Sequence, residues 1–593
     1  MESLDQLAQK WMDWDRDPCT IGEIRKLLAD KQRDILQQRL ASRIQFGTAG
    51  LRGRMQAGFS SMNSLTVIEA SQGLAKYITA TYQGPGRPSV VIGYDARHNS
   101  HKFAFLAANA FGAADINVLW YEQVTPTPLV PFAVLLKKAT AGVMITASHN
   151  PGHDNGYKVY TSNGAQINYP VDTQIAAAIE DNLEPWPSAW NGFDTAMVRH
   201  SQLYEEVSSV YCDTVRRYVT STVETWYQPQ KVIYTPIHGV GYATMKTLSD
   251  LLAIDMLTVP LQKDPDPDFP TVKFPNPEEK DALDVSITIA DMVGIPLIIA
   301  NDPDADRFAI VQKSNDDWFR FTGDQIGVLI ASHLIAAWKR TGSASKMAML
   351  SSAVSSSMLS KMAHKEGFHF EETLTGFKWM ANVARDLESR GYDVPFAYEE
   401  ALGYMFTEVC YDKDGMAAAM LFLAAQAQWA EQGVSPHLRL QQLYQIYGFH
   451  ETLNTYFVSP DTATTDALFK QIRDNTDPNV AKIGLYPITR WRDATNGYDS
   501  GTDDKKSSLP VDPTSQMLTV WAHPGVRFTL RGSGTEPKVK IYIESCSDSD
   551  KDAVEAVCHI LEAVLDNWIK PYAPTMTYFR GLKTSSGHAV TIA

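Results

Sequence analysis

Short apolar runs recur along the chain, each breaking off into a polar cluster. Val90-Val91-Ile92 runs into Gly93-Tyr94-Asp95, Gly142-Val143-Met144-Ile145 into Thr146-Ala147-Ser148-His149, and Leu297-Ile298-Ile299 into Asn301-Asp302. Met347-Ala348-Met349-Leu350 and Val394-Pro395-Phe396-Ala397 repeat the pattern more weakly, ending at Ser351 and Glu399. Such runs read as strands buried on both faces, as in parallel sheets covered by helices. After Thr322-Gly323-Asp324 the period changes, with Ile326, Leu329, Ile330, Leu334 and Ile335 at helical spacing. Strand and helix therefore alternate, and most of the chain is α/β. The last 140 or so residues differ: Arg527 to Arg531 and Val539 to Glu544 read as strands around a Gly-rich turn, with a helical pattern from Ala553 to Leu565. That end is expected to be α+β. Asp264 to Pro277 and Asn496 to Pro510 read as surface loops, and no sequence repeat is evident. Gly415 to Ala430 has few charges but contains Gln426 and Gln428. It falls short of the roughly 20 apolar residues a bilayer needs, so it reads as a buried helix.

Length and composition narrow the class. At 593 residues the chain exceeds what one core serves, which favours three or four domains. With 44% hydrophobic and 20% charged residues it has the balance of a soluble globular protein. The net charge of -15 would repel polyanions, so nucleic acid is excluded as an expected partner, and a basic pocket for a small anion would stand out. Cys19, Cys212, Cys410, Cys546 and Cys558 show neither metal-ligand spacing nor a disulfide framework. That suits a reducing cytosol, and the acidic Met1-Glu2-Ser3-Leu4-Asp5 start does not resemble a secretory signal.

In open α/β sheets ligands bind beyond the carboxyl ends of the strands, where the polar clusters sit. Asp302-Pro303-Asp304-Ala305-Asp306-Arg307 places three carboxylates at alternate positions, and their repulsion calls for a hard divalent ion such as Mg²⁺. An EF-hand needs Gly at its sixth position and Glu at its twelfth, where this chain has Arg307 and Lys313. The competing reading is a solvated acidic turn around Pro303. Thr146 to Pro151 presents Ser148 at a strand end, as a nucleophile or as a turn-forming serine. Asn155-Gly156-Tyr157-Lys158 reads as a turn bearing a cation, an acid or base if desolvated and otherwise an exposed lysine. Arg531-Gly532-Ser533-Gly534-Thr535-Glu536-Pro537 reads either as a phosphate cradle or as a hairpin turn. Phe46 to Gly53 is a second Gly-rich stretch, where Arg52 would neutralise phosphate unless the glycines are merely flexible.

Taken together and in this order, from about Trp11 to about Glu544, these motifs resemble the α-D-phosphohexomutase superfamily. Phe46 to Arg52, Asp264-Pro265-Asp266-Pro267, Gly376-Phe377-Lys378-Trp379-Met380 and Glu399-Glu400-Ala401-Leu402-Gly403-Tyr404 are most similar to its phosphopentomutase and glucose-1,6-bisphosphate synthase branch. The resemblance implies four domains around a central cleft, three α/β with mixed, mostly parallel sheets and a C-terminal α+β domain, expected at 1–205, 206–322, 323–450 and 451–593. It implies a phosphoserine at Ser148, Mg²⁺ held by Asp302, Asp304, Asp306 and the seryl phosphate, and Arg52, His149, Lys158 and Lys413 lining the reaction centre. Arg307 stands beside the metal, Thr375, Lys378 and Glu399 meet the sugar, and Arg531, Ser533, Gly534 and Thr535 grip the phosphate that is not transferred. The implied reaction interconverts ribose 1-phosphate and ribose 5-phosphate, their deoxy counterparts and glucose 1- and 6-phosphates, primed by a sugar 1,5- or 1,6-bisphosphate. The rival is a glucose-1,6-bisphosphate synthase using 1,3-bisphosphoglycerate; a phosphatase with Asp302 or Asp304 as nucleophile and a silent phosphosugar-binding protein are further alternatives. A cytoplasmic monomer acting on small phosphosugars, without nucleic acid or membrane, is expected. Hexomutases often carry Ser at the position of Ala401, and bacterial ones His at that of Tyr404. Losing a sugar-binding hydroxyl suits a pentose or broad specificity.

Overall fold

A computed structural model describes residues 2–590 except 48–49, 192–201, 315–316, 343–345, 478–480, 514, 524, 534–537 and 579–581. The chain divides into two compact units, one of residues 1–348 and 376–433, the other of 349–375 and 434–593.

The first unit holds two sheets of like design. Strands β1 (Gly50–Arg54), β2 (Ser89–Tyr94), β3 (Asn117–Trp120), β4 (Ala141–Ile145) and β5 (Asp154–Thr161) lie in the order β1-β5-β4-β2-β3. Strands β6 (Val232–Thr235), β7 (Met256–Thr258), β8 (Leu297–Asn301), β9 (Phe308–Ser314) and β10 (Asp317–Arg320) lie in the order β10-β9-β8-β6-β7. In each sheet β2 or β6, next to the edge strand, pairs in parallel with its two neighbours, and the remaining pairings are antiparallel. The structural repeat β2-β3-β4-β5 and β6-β7-β8-β9 has no counterpart in sequence. Both sheets reverse strand order between neighbouring strands, β2/β4 in one and β6/β8 in the other, and such switch points are where ligands bind in open α/β sheets.

Strands β4 and β8 are buried along their whole length, as their uninterrupted apolar runs require. The helix Gly323–Thr341 starts at the expected place, with Thr322 and Gln325 forming a reciprocal cap. Gly415–Ala430 is a helix buried on nearly all sides, capped by Asp414, which accepts from Met416 N and Ala417 N. Among the described residues no helix is long and apolar enough to cross a membrane. The apolar runs do not announce three N-terminal helices, Leu4–Trp14, Pro18–Ala29 and Arg33–Leu40, which close a small core with Trp11 edge-on to Phe59.

Two stretches read as turn or loop are strands. Asn155 to Lys158 belongs to β5, and Gly50 to Arg54 is β1, paired antiparallel with it. Gly50 sits at φ +142°, and a Cβ there would lie 1.7 Å from the Tyr157 carbonyl, so the glycine permits the two backbones to meet. Likewise a two-residue strand, Tyr498–Asp499, interrupts the Asn496 to Pro510 loop.

Further α/β segments follow. β11 (Lys346–Ser352) and β12 (His369–Thr373) precede β13 (Tyr392–Glu399) and β14 (Gly403–Met405), the last two an antiparallel pair in the first unit. In the second unit β15 (Phe449–Val458), β16 (Lys482–Ile483), β17 (Tyr486–Asp493), β18 (Tyr498–Asp499), β19 (Met517–Ala522), β20 (Val526–Gly532), β21 (Lys538–Ser547) and β22 (Thr577–Tyr578) form an antiparallel sheet. Helices Thr462–Asn475 and Asp550–Val564 bury Leu468, Phe469, Ile472, Val557 and Ile560 in a core with Phe528 and Ile541.

Candidate active site

Ser148 lies just past β4, at the switch point of the first sheet. Its backbone is in the left-handed region, φ +54°, which costs a non-glycine residue about 1–3 kcal/mol and must be held by its surroundings. Arg97 does the holding. Its buried guanidinium donates to the carbonyls of Ser148 (2.5 Å), Asn150 (2.6 Å), Pro151 (2.7 Å) and Asp154 (3.2 Å). Asp95, at the end of β2, pairs with Arg97 at 3.2 Å and accepts from Ser100 Oγ and Thr146 Oγ1 at 2.6 Å each. Thus fixed, Ser148 Oγ donates to Asp302 Oδ2 at 2.9 Å and lies 3.2 Å from His149 Nδ1.

Asp302, Asp304 and Asp306 follow β8, at the switch point of the second sheet, and are completely buried. Each offers an oxygen within 4.8 Å of the others. Two unit charges near 4 Å repel by about 4 kcal/mol at the effective dielectric of such sites, so the cluster needs cations. Lys158 Nζ donates to Asp304 Oδ2 (2.7 Å) and Asp306 Oδ2 (2.8 Å), and Lys413 Nζ lies 3.1 Å from Asp306 Oδ2. Thr127 Oγ1 also donates to Asp304 Oδ2, at 2.6 Å. Arg307 donates its backbone N–H to Asp302 Oδ1 (2.9 Å) and its Nη1 to the Ala401 carbonyl (2.6 Å).

Burial, reinforced by the charges of Asp304 and Asp306, pushes the Asp302 carboxyl well above its usual range. Burial works the same way on Asp306, but Lys158 and Lys413 outweigh it and hold this carboxyl down. Lys158 in turn is raised against the cost of its burial by Asp304 and Asp306, so it stays charged rather than becoming the exposed lysine of the plainer sequence reading.

Arg52, on β1, is exposed and reaches Asn150 Oδ1 at 3.4 Å, which ties it to the serine loop. Ser148, His149, Lys158, Lys413, Arg52, Arg307 and the three aspartates are therefore brought together. Glu399 Oε1 accepts from Gly376 N and its charge acts on Arg307, while Lys378 Nζ is 3.6 Å from Asp172. Thr375, Arg531 and Ser533 belong to the second unit, where Arg531 ends β20 and Ser533 N donates to the Lys538 carbonyl at 2.8 Å. Gly534 and Thr535 lie outside the described residues. Tyr404 is a core side chain, stacked on Phe396 with its hydroxyl donating to the Gly323 carbonyl at 3.2 Å, so its ring is committed to packing.

Arg97 and Thr127 belong to no motif in the sequence, and Asp95 shows there only as the polar end of an apolar run. Asp95-Ala96-Arg97 directly after a buried strand was the available signal, since charged residues at a strand end inside an α/β layer must find partners.

The carboxylate set fits a bound divalent cation. Its donors are all hard oxygens, and Asp304 Oδ1 and Asp306 Oδ1 are buried without a hydrogen-bond partner among the described residues, while their Oδ2 atoms serve the lysines.

Comparison with known proteins bears on this arrangement. Phosphoglucomutase/phosphomannomutase α/β/α domains I, II and III match residues 43–185, 209–315 and 322–447, and the C-terminal domain of the same family matches 499–558. A phosphoribomutase of Saccharomyces cerevisiae is 43% identical, covering 95% of this chain and 96% of its own. A human glucose 1,6-bisphosphate synthase is 37% identical, covering 96% and 94%. The crystal structure of a phosphoglucomutase/phosphomannomutase family protein from Burkholderia thailandensis shares the fold with a TM-score of 0.65 at 18% identity, covering 90% of this chain and 98% of its own. With four domain matches in order and identity sustained over nearly its whole length, the chain belongs to the phosphoglucomutase/phosphomannomutase family of the α-D-phosphohexomutase superfamily.

Proposed function

We propose that this chain is a phosphosugar mutase interconverting ribose 1-phosphate and ribose 5-phosphate and the deoxyribose phosphates, with glucose 1-phosphate and glucose 6-phosphate as further substrates. The carrying observation is the 2.9 Å contact between the Ser148 hydroxyl and Asp302, inside a cluster where Asp304 Oδ1 and Asp306 Oδ1 are buried without a hydrogen-bond partner among the described residues. The full-length similarity to a phosphoribomutase supports the pentose reading.

Asp302, Asp304 and Asp306 would hold Mg²⁺ together with the phosphate on Ser148. When bound, Mg²⁺ supplies charge compensation to the phosphoryl oxygens. In the first half-reaction a free sugar hydroxyl attacks the phosphate of Ser148: the Oγ–P bond breaks, a new O–P bond forms, and the hydroxyl gives up its proton. Lys158 and Lys413, kept as ammonium groups, act by charge and as donors to phosphoryl oxygens, with Arg52 and Arg307 adding positive charge. His149, with Nδ1 at 3.2 Å from Ser148 Oγ, is placed to exchange the proton. The bisphosphorylated sugar then turns end for end and returns its other phosphate to Ser148, and the same bisphosphate primes the enzyme. Arg531, Ser533, Gly534 and Thr535 are assigned the remote phosphate, and Thr375, Lys378 and Glu399 the sugar. The five unpaired cysteines suit a cytoplasmic enzyme, and a monomer is the expected state.

The similarity to a glucose 1,6-bisphosphate synthase favours one rival, a chain that transfers phosphate from 1,3-bisphosphoglycerate to glucose 1-phosphate. One purified sample assayed for both reactions decides between them. Mutase turnover of ribose 1-phosphate should exceed bisphosphate synthesis, and Ser148→Ala should abolish mutase activity together with the added mass of one phosphoryl group. A Ser148→Ala protein that retains turnover would end the phosphoserine reading.

A further inference from the structure

The antiparallel register of β15 and β21 sets His450 directly opposite Cys546, with Glu544 two residues along β21. Alternate strand residues share a face, and opposed residues have Cβ atoms about 4.5–5.5 Å apart, so the three side chains form one cluster. His450 is buried, its Nδ1 lies 2.9 Å from Glu544 Oε1, and its Nε2 is buried with no hydrogen-bond partner among the described residues. From the helix Met358–Glu366, Lys361 Nζ donates to Cys546 Sγ. A Cβ at Gly448 would stand 3.0 Å from that sulfur, so the glycine spares the thiol a crowding side chain, and Cys546 is only half-buried. Alongside lies an open cavity of about 720 Å³ lined by Ser360, Lys361, His364, Lys365, Ile446 and Tyr447, without a carboxylate. The carboxylate of Glu366, next in sequence to Lys365, is engaged by the Tyr447 hydroxyl, so on a chain of net charge -15 this is a local basic site, and the mutase chemistry above makes no use of it.

A thiol between an imidazole oriented by a carboxylate and an ammonium group is set up to ionise. We infer that Cys546 is a reactive thiolate that forms mixed disulfides with small anionic disulfides drawn to the Lys361–His364–Lys365 cavity. Charge supports the geometry: although burial opposes it, His450 and then Lys361 pull the Cys546 thiol below its ordinary range. His450 is likewise raised, against its burial, to about 9 by Cys546 and Glu544. In the reaction Sγ attacks one sulfur of the incoming disulfide, a new S–S bond forms as the old one breaks, and the released half leaves as a thiolate that takes a proton from solvent. The Cys546 thiol is oxidised and half of the incoming disulfide is reduced. The other cysteines serve as internal controls: burial raises Cys212 to about 11 and also pushes Cys410 and Cys558 up, while Cys19 is exposed on the surface.

The test is incubation of the full-length protein with glutathione disulfide at pH 7, with peptide mapping over time. Modification of Cys546 at least about tenfold faster than Cys19, and faster with glutathione disulfide than with neutral bis(2-hydroxyethyl) disulfide, is the expected result. Lys361→Met, a change at the surface, should slow Cys546 by a similar factor while the circular dichroism stays unchanged. Wild-type Cys546 reacting no faster than Cys19 overturns the thiolate, and equal rates with the two disulfides overturn the anion site.

Discussion

Arg97 offers the sharpest test of how the serine loop is built. Replacing it with Met keeps much of its volume but removes a guanidinium whose side chain is 1% exposed and whose partner Asp95 is 2% exposed. Removing one member of such a buried pair costs roughly 3–5 kcal/mol, and a thermal unfolding scan of the full-length protein should show that loss. The local consequence matters more. Four carbonyls between Ser148 and Asp154 lose their donor, and the φ +54° backbone at Ser148 is freed to relax, releasing about 1–3 kcal/mol of strain. Relaxation carries Oγ away from its 2.9 Å contact with Asp302, and a displacement near 1 Å is enough to cost about a hundredfold in rate. Steady-state kinetics on ribose 1-phosphate should therefore show kcat down about a hundredfold with KM changed by less than about threefold, since sugar binding is assigned elsewhere. Intact mass after incubation with a sugar bisphosphate should show less phosphate on Ser148. Arg97→Lys keeps the charge without the planar fork and should fall between wild type and Arg97→Met. A folded Arg97→Met protein with wild-type kcat would refute the positioning role.

Three other expectations follow from particular contacts. Asp306→Asn should weaken Mn²⁺ or Mg²⁺ binding by at least about tenfold in calorimetric titration, because ligand charge sets divalent affinity; an unchanged Kd would remove Asp306 from the ligand set. Gly50→Ala places a Cβ 1.7 Å from the Tyr157 carbonyl at φ +142°, and should destabilise the protein by about 2–4 kcal/mol in denaturant titration. A wild-type midpoint would show that β1 can leave β5 without cost. His450, raised from 6.5 to about 9, binds its proton more tightly folded than unfolded. Its contribution, about 3 kcal/mol, is complete below pH 6.5 and fades as the pH rises through 9, so stability should decline across that window and His450→Gln should flatten the slope.

The strands were legible because burial on both faces leaves an unbroken apolar run, and β2, β4 and β8 each end at the polar cluster the sequence marks. β1 and β5 are exceptions, strands whose residues resemble turns. Gly50, Gly53, Asn155 and Gly156 look like turn formers, yet they pair because glycine lets the two backbones approach and Asn155 finds buried partners at the His98 carbonyl and Ser100 Oγ. The N-terminal helices escaped notice because their core is small and draws on Phe59 and Leu65, distant in sequence.

Chemistry divides along a similar line. Three alternating aspartates announce a cation by themselves, since their mutual repulsion is written into the spacing. What the sequence could not contain is which other strand end meets them: Ser148 and Asp302, 154 positions apart, touch because two sheets of like topology each place a loop at the switch point. Nor could it show that Lys158 is buried between two carboxylates, or that Arg97 gathers four carbonyls. Side-chain type and local period are properties of neighbouring residues, and they determined the elements and the kind of chemistry. Which groups share charge and hydrogen bonds depends on distances set by packing, and those the tertiary structure alone decided.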